Sequence, residues 1–280
     1  MDQDQRAPAA ASGSQNLRTR IMAALVLAPA AIAIAWTGGP LWIALVMLAG
    51  IGMYVEWLTI VGAAQEKQTV AAGIAALVVS GLCLAFGYGA LSLAALLTGA
   101  VAVAAVSRRL RLWSVAGFCY AAAAAFASAQ VRLDGDYGFV ALMFVLFVVW
   151  AADIGGYFAG RGIGGPKLWP RVSPKKTWAG AVGGFAGGLA VAAGFAAFDL
   201  GRLAPLMLLA ALLSIVSQSG DLFESAVKRR FGVKDSSQII PGHGGLLDRL
   251  DGFVAAIVFA ALFGFLRGDA DGIGHALMVW

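Results

Sequence analysis

Charged residues are scarce in this 280-residue chain: they make up 12% of it, against 60% for hydrophobic residues. In soluble domains about a quarter of the residues are charged, because the surface must face water. The chain lacks such a charged shell, which argues against an ordinary soluble protein. Its apolar stretches are instead long enough to cross a bilayer several times, since each crossing takes about 20 residues.

Cysteine is almost absent. Cys83 and Cys119 are the only two, and both lie inside apolar runs. They have no metal-ligand spacing and no basic neighbours that would activate a thiolate. We interpret both as small core hydrophobes, so the pattern gives no support for a thiol-based metal or catalytic site.

The polar N-terminal stretch lacks the pattern of a cleaved signal peptide, because the first apolar run follows Arg18 and Arg20 without a clear small-residue cleavage site. We therefore predict a retained first span. The expected organisation is a disordered cytoplasmic tail (1–16), N-terminal membrane helices (17–135), C-terminal membrane helices with cytoplasmic catalytic segments (136–268) and a C-terminal tail (269–280).

Hydrophobic runs predict an all-α fold, a polytopic transmembrane helical bundle with about nine spans and a cytoplasmic N-terminus. The predicted spans are Ile21–Thr37, Leu41–Val61, Val70–Phe86, Ala90–Val106, Val115–Val131, Phe139–Ala159, Ala179–Phe198, Leu203–Phe223 and Leu247–Leu266. Glycine is common, at 37 residues. Small residues at Gly183, Gly184, Gly187 and Gly188 of the seventh span favour close contact between helices.

The distribution of basic residues supports this topology. With a cytoplasmic N-terminus and alternating sides, 17 of the 20 Lys and Arg residues lie inside, and only Arg132, Arg202 and Arg267 lie outside. Cytoplasmic loops are enriched in Lys and Arg, so this ratio favours nine spans. The net charge of +5 also favours anionic headgroups and anionic ligands.

Carboxylates at membrane depth are candidate functional groups, because a charge in hydrocarbon is costly unless it is paired or hydrated. Asp153 lies in the sixth span, Asp221 at the inner end of the eighth, and Asp248 and Asp251 at the start of the ninth. A helix places residues three apart on one face, as it would Asp248 and Asp251. Clustered carboxylates suit Mg²⁺, although a structural ion pair with a nearby Lys or Arg remains the alternative for each acid.

Basic residues interleave with these acids, in the order Asp221, Glu224, Lys228, Arg229, Lys234, Asp235, Asp248, Arg249 and Asp251. A topology anchor needs only positive charges. A phosphoryl or nucleotidyl transfer site needs both signs, since carboxylates hold the metal and cations neutralise the phosphates. The interleaving therefore favours phosphate chemistry.

Two loops add possible phosphate contacts. Pro241-Gly242-His243-Gly244-Gly245 precedes the last span, and glycines let backbone N–H groups converge on an anion beside a helix N-terminus. Ser173-Pro174-Lys175-Lys176-Thr177 precedes the seventh span, where Ser173 or Thr177 could cap the helix. The alternative for the two lysines is a topology anchor.

These residues resemble the signature of the phosphatidate cytidylyltransferase family. The family pattern runs S-x-x-K-R, four residues, K-D, and later H-G-G-x-x-D-R-x-D, and it matches Ser225–Arg229, Lys234-Asp235 and His243–Asp251 at every fixed position. Asp153-Ile154-Gly155 and Ser173–Trp178 are also similar to family segments. The likeness extends from about Asn16 to Phe253. One departure is Ala179, where many relatives carry Glu, and it argues against an indispensable metal ligand at that position.

The resemblance implies the reaction CTP + phosphatidate → CDP-diacylglycerol + pyrophosphate, with Mg²⁺ required and K⁺ as a possible second cation. It implies a homodimer in the bacterial inner membrane, in contact with membrane lipid and without a nucleic-acid partner. Asp221 and Asp248 would hold the metal with Asp251 in support, and Lys228, Arg229, Lys234 and Arg249 would bind phosphates. Further substrate contacts would come from Lys175, Lys176, Ser225, Asp235, His243, Gly244 and Gly245.

Two other functions remain possible from the sequence. A transporter would also carry intramembrane acids, but it would more often show internal repeats with broken helices in both halves. The charged segments here are concentrated in the C-terminal half. The second alternative is another CTP-dependent lipid enzyme, such as a lipid kinase.

Overall fold

The computed structural model describes residues 26–237, 244–268 and 272–280, and it forms a bundle of long helices. The elements are α1 (Val26–Thr37), α2 (Gly39–Val61), α3 (Lys67–Ala85), α4 (Gly89–Val106), α5 (Arg111–Leu133), α6 (Gly138–Gly162), β1 (Lys167–Trp169), β2 (Ser173–Thr177), α7 (Trp178–Ala197), α8 (Leu203–Arg230), α9 (Leu247–Arg267) and α10 (Ile273–Met278).

Eight helices, α2 to α9, are long and apolar enough to cross a membrane, and α1 is a shorter apolar helix over its described part. This confirms the prediction of a polytopic helical membrane protein. The predicted bounds of these spans agree with the observed helices to within a few residues, apart from the end of α8. The first predicted span begins at Ile21, and its first residues lie outside the described part of the chain.

Helix α8 is longer than predicted. The hydrophobic run predicts a span that ends at Phe223, whereas the helix continues to Arg230. The stretch from Leu222 to Arg230 contains neither glycine nor proline, and it is rich in residues that favour helix. The helix stops just before Gly232, whose φ of 71° is a left-handed conformation that suits glycine. The extension places Ser225, Lys228 and Arg229 on the same rigid helix as Asp221.

A short β-hairpin between α6 and α7 was not predicted. Strands β1 and β2 pair antiparallel, with Lys167 opposite Thr177 and Trp169 opposite Ser173. Of the two candidate caps for α7, the structure uses Thr177, whose hydroxyl accepts a hydrogen bond from the backbone N–H of Gly180 at 3.1 Å. The hairpin thus leads directly into a capped helix.

Helices α6 and α7 approach each other at glycines. A Cβ added at Gly184 would lie 2.6 Å from the carbonyl oxygen of Ala152, and one added at Gly155 would lie 2.5 Å from that of Gly183. No side chain fits in such a gap, so the backbones touch directly. This confirms the close packing predicted from the glycines of the seventh span, and it holds the hairpin beside α6.

Contacts between loops define two ends of the bundle. At one end Glu66 accepts hydrogen bonds from the backbone N–H groups of Arg108 and Arg109, the hairpin forms an ion pair with α8, and α8 forms an ion pair with the start of α9. At the other end Arg132 binds the carbonyls of Ala35 and Trp36. The alternation agrees with the one used to count basic residues. That the first end faces the cytoplasm stays a prediction.

Candidate active site

A charged cavity of about 550 Å³ opens between α6, the hairpin, α7 and α8. Its charged lining comprises Asp153, Arg161, Lys167, Lys175, Lys176 and Asp221. Cations on the hairpin therefore face acids on two membrane helices. Such a mixture suits a ligand that carries phosphates, because the cations attract the anion while carboxylates can hold a divalent ion.

The hairpin is joined to α8 by an ion pair between Lys176 and Asp221. Both side chains are partly exposed to the cavity, at 27% and 28%. On the same helix, the Ser225 hydroxyl donates to Oδ1 of Asp221 at 3.4 Å. Three residues that the sequence predicted to act together thus lie in contact, although they come from two separate segments.

Two cations of this cavity were not predicted as site residues. Arg161 and Lys167 had been counted only as topology markers, and both line the cavity. Arg161 Nη1 donates to the hydroxyl of Tyr157 at 2.8 Å, one helical turn earlier on α6. Nothing in their spacing separated them from ordinary anchors; only the fold brings them beside Asp153 and Asp221.

Four acids lie around the C-terminal part of α8: Asp153 from α6, Asp221 and Glu224 from α8, and Asp251 from α9. Asp251 is near enough to the other three to interact with them electrostatically. Within the described ranges, no group of three His, Cys, Asp or Glu side chains is close enough to hold a metal ion together. The predicted set of Asp221, Asp248 and Asp251 is therefore not assembled around one point here, and a metal site at these residues stays a prediction.

Lys228 lies in a buried network rather than facing the cavity. Its Nζ is 2.6 Å from Oε2 of Glu224 and 2.6 Å from Oδ1 of Asp248, and the residue is only 8% exposed. A buried cation between two carboxylates offsets part of their charge and fixes α8 against α9. Its predicted contact with a phosphate is not part of this arrangement and stays a prediction.

The carboxylate of Asp248 is fully engaged. Besides Lys228, its Oδ2 accepts hydrogen bonds from the backbone N–H of Ser236 at 2.9 Å, the hydroxyl of Ser236 at 2.9 Å and the backbone N–H of Gly245 at 3.0 Å. Gly244 has a φ of 87°, and a Cβ there would lie 3.2 Å from the same oxygen. Asp248 therefore holds Ser236 and Gly245 next to the start of α9, and Gly244 lies close to the same carboxylate.

The remaining predicted residues lie around this network. Arg229 is exposed, and its Nη1 donates to the carbonyl of Val233 at 3.1 Å. Lys234, Asp235 and Arg249 are exposed near the same end, as is Lys175 on the hairpin. The predicted contact His243 lies outside the described residues.

Sequence reasoning missed Glu56. This residue of α2 is 1% exposed, and its carboxylate holds the segment before α9 through four hydrogen bonds. A signal was available, since Glu56 is an acid within a predicted span, like the acids that were singled out.

Comparison with known proteins agrees with the resemblance. The profile of the cytidylyltransferase family matches residues 18–266. A phosphatidate cytidylyltransferase of Brucella suis biovar 1 (strain 1330) is 44% identical over 262 residues, which cover 91% of this chain and 96% of that protein. Phosphatidate cytidylyltransferases of Haemophilus influenzae and Bacillus subtilis are 45% and 43% identical, over 47% and 46% of this chain and 48% and 49% of theirs. This chain belongs to the cytidylyltransferase family.

Proposed function

We propose that this chain is a nucleotidyltransferase of phospholipid biosynthesis, which converts CTP and phosphatidate to CDP-diacylglycerol and pyrophosphate. The observation that carries the proposal is the likeness over nearly the whole chain to proteins named phosphatidate cytidylyltransferase. The charged cavity at one end of a membrane bundle supports it, since one substrate is a lipid and the other is a water-soluble polyanion.

The chemistry requires that one phosphate oxygen of phosphatidate attacks the α-phosphorus of CTP in line. A new P–O bond forms there, the bond from the α-phosphorus to the α–β bridging oxygen breaks, and pyrophosphate leaves with that oxygen. Charge accumulates on the leaving group and on the transferred phosphoryl oxygens. Lys175 and Lys176, with Arg161 and Lys167, line the cavity where these charges would be stabilised.

A divalent cation, for which we propose Mg²⁺, would neutralise phosphate charge and orient the reacting groups. The acids of the cavity fit this role by their chemistry, since carboxylate oxygens are the ligands that Mg²⁺ prefers. Asp221 is the best placed, because it lines the cavity, and Asp251 of α9 is near enough to interact with it electrostatically. Asp248 was also predicted as a ligand, but it would first have to release partners that hold it now. A second cation such as K⁺ is part of the same proposal.

The proposal also includes roles for further residues, the oligomeric state and the membrane location. Ser225, Lys228, Arg229, Lys234, Asp235, His243 and Arg249 would contact or orient the substrates. The chain would act as a homodimer in the bacterial inner membrane, with its site at the cytoplasmic face and in contact with membrane lipid. We propose no nucleic-acid partner.

The position of the label tests the reaction. Purified protein in detergent is incubated with phosphatidate, Mg²⁺ and CTP labelled at either the α- or the γ-phosphorus. Cytidylyl transfer should place only the α-label in the lipid product. A CTP-dependent lipid kinase would transfer the γ-label instead, and a transporter would label no lipid with either substrate. Either of these two outcomes with folded protein would overturn the proposal.

A further inference from the structure

The carboxylate of Glu56 joins two parts of the chain that lie on either side of residues 238–243. Oε1 accepts hydrogen bonds from the hydroxyl of Ser237 at 2.6 Å and from the backbone N–H of Leu246 at 2.8 Å. Oε2 accepts from the hydroxyl of Ser236 at 3.2 Å and from the backbone N–H of Leu247 at 2.8 Å. Each oxygen thus holds one residue before that stretch and one residue after it.

These contacts supply the N-terminus of α9 with a cap from another helix. Leu246, at the N-cap position, has no side chain that could accept the first N–H groups. Backbone N–H groups at a helix N-terminus lack intrahelical partners and favour a negative charge nearby. Glu56 provides that charge from α2, and so it ties the N-terminal helices to the segment that carries the family signature.

Glu56 also connects to the site through one shared hydroxyl. The Oγ of Ser236 lies 3.2 Å from Oε2 of Glu56 and 2.9 Å from Oδ2 of Asp248. Asp248 in turn pairs with Lys228, which pairs with Glu224. A continuous path of polar contacts therefore runs from α2 through the start of α9 to α8, beside the acids of the cavity.

We propose that Glu56 is a positioning residue for the cytidylyl transfer. It holds Ser236, Ser237 and the start of α9 in place, and thereby sets the position of Asp248 and Lys228. The inference rests on the proposed function, because it is turnover that Glu56 supports. Glu56 itself lies at the segment before α9, outside the lining of the charged cavity, so it acts through other residues.

The experiment compares Glu56→Gln with a matched control, Glu66→Gln. Glu66 likewise accepts from two consecutive backbone N–H groups, those of Arg108 and Arg109 at 3.0 and 2.9 Å, and these two residues belong neither to the cavity lining nor to the network around Asp248. These hydrogen bonds hold the pKa of Glu66 below its usual value. Glutamine keeps one acceptor oxygen but replaces the other with an NH₂ group, which cannot accept. Each substitution therefore removes the hydrogen bonds made to one of the two carboxylate oxygens.

Turnover with both substrates and thermal unfolding in detergent are measured for the wild type and both variants. We expect kcat of Glu56→Gln to fall about tenfold or more, equivalent to about 1.4 kcal/mol in the barrier. The KM for CTP should change little, because the residue does not touch the nucleotide. Glu66→Gln should keep wild-type kcat, and kcat is compared at a temperature at which both variants are folded.

A double-mutant cycle with Ser237→Ala separates positioning from a general loss of stability. If both residues act through the same contact, Ser237→Ala should lower kcat in the wild type but have little further effect in Glu56→Gln. This single variant also decides the matter if Glu56→Gln cannot be recovered folded: wild-type kcat in Ser237→Ala would then overturn the inference.

The outcomes distinguish this inference from the proposed function. A wild-type protein that makes no labelled lipid would refute the function itself. An active wild type combined with a Glu56→Gln variant that matches Glu66→Gln in kcat would refute only the positioning role. Independent, additive effects of Glu56→Gln and Ser237→Ala would refute it as well.

Discussion

Lys228 is the residue for which we predict both a structural and a chemical role. Its ammonium group pairs with both Glu224 and Asp248 in a buried position. Replacement by Met should leave both carboxylates without their cation and destabilise the protein by about 3–5 kcal/mol. Thermal unfolding in detergent measures this loss, and the exposed Arg230→Ala serves as the control.

A second substitution separates the two roles of Lys228. Glu224→Gln added to Lys228→Met removes one of the two unpaired charges, and it should restore part of the lost stability. If Lys228 also contacts a phosphate during turnover, activity should remain low in this double variant. Recovery of both stability and activity would show that the lysine serves only the fold.

Asp221 is the acid whose charge should matter most for turnover. Asn keeps the shape of the side chain but loses the charge that faces Lys176 and the cavity. If Asp221 holds a divalent ion, kcat should drop by several powers of ten, at about 1.4 kcal/mol for each. EDTA should likewise abolish wild-type activity, and Mg²⁺ should restore it. The control is Asp199→Asn at the other end of the bundle; near-normal turnover in folded Asp221→Asn would end the metal assignment.

At the residue scale, the sequence indicated which charged side chains gather at one end of the bundle better than it indicated their partners. The interleaved charges and the signature pointed to Asp221, Lys228 and Asp248, and the fold brings all three to one end of the bundle. It could not indicate that Lys228 and Asp248 bind each other, because they are 20 residues apart and only the packing of α8 on α9 joins them. Glu56 escaped notice for the same reason, since its partners are at least 180 residues away.

Among the elements, the α6–α7 pair should be the most sensitive to small changes. Gly184→Ala would place a Cβ 2.6 Å from the carbonyl oxygen of Ala152, and the two backbones would have to separate. We expect lower thermal stability and lower activity, because α6 and α7 also hold the walls of the charged cavity. Gly194→Ala on the same helix is the matched control, since nothing lies within 4 Å of its added Cβ. Equal unfolding temperatures for the two variants would contradict this account of the packing.

How well each helix or strand could be predicted depends on the sequence property that determines it. Apolar length alone determines a membrane span, so hydropathy located the spans to within a few residues. The extension of α8 was missed because its last two turns are charged. The loss of hydrophobicity marks the end of the apolar span, but the helix itself continues beyond it. The hairpin was missed because its strands are three and five residues long and the second contains Pro174, a residue that is uncommon in strands.

At the scale of the whole molecule, the two ends of the bundle differ in their charged residues, and the contacts between loops show the same division as the count of basic residues. The hairpin, the end of α8 and the start of α9 bring acids and bases together at one end of the bundle. The opposite end holds the three basic residues that the count placed outside, including Arg132 and Arg202. The contacts show which loops share an end, but the orientation in the membrane rests on the excess of basic residues, a property that the fold alone does not contain.

A pair of cysteine substitutions at the two ends of α6 tests that orientation. Gly135 and Gly162 flank this helix, and at both positions nothing lies within 4 Å of an added Cβ, so each should accept a cysteine. With Cys83 and Cys119 replaced by Ala, a membrane-impermeant maleimide added to intact cells should label Gly135→Cys and not Gly162→Cys. Inside-out vesicles should give the reverse. The physical reason is that CTP is made and kept in the cytoplasm, so the end with the charged cavity must face it. Labelling of Gly162→Cys in intact cells would place the cavity outside, and it would remove the access route that the proposed reaction needs.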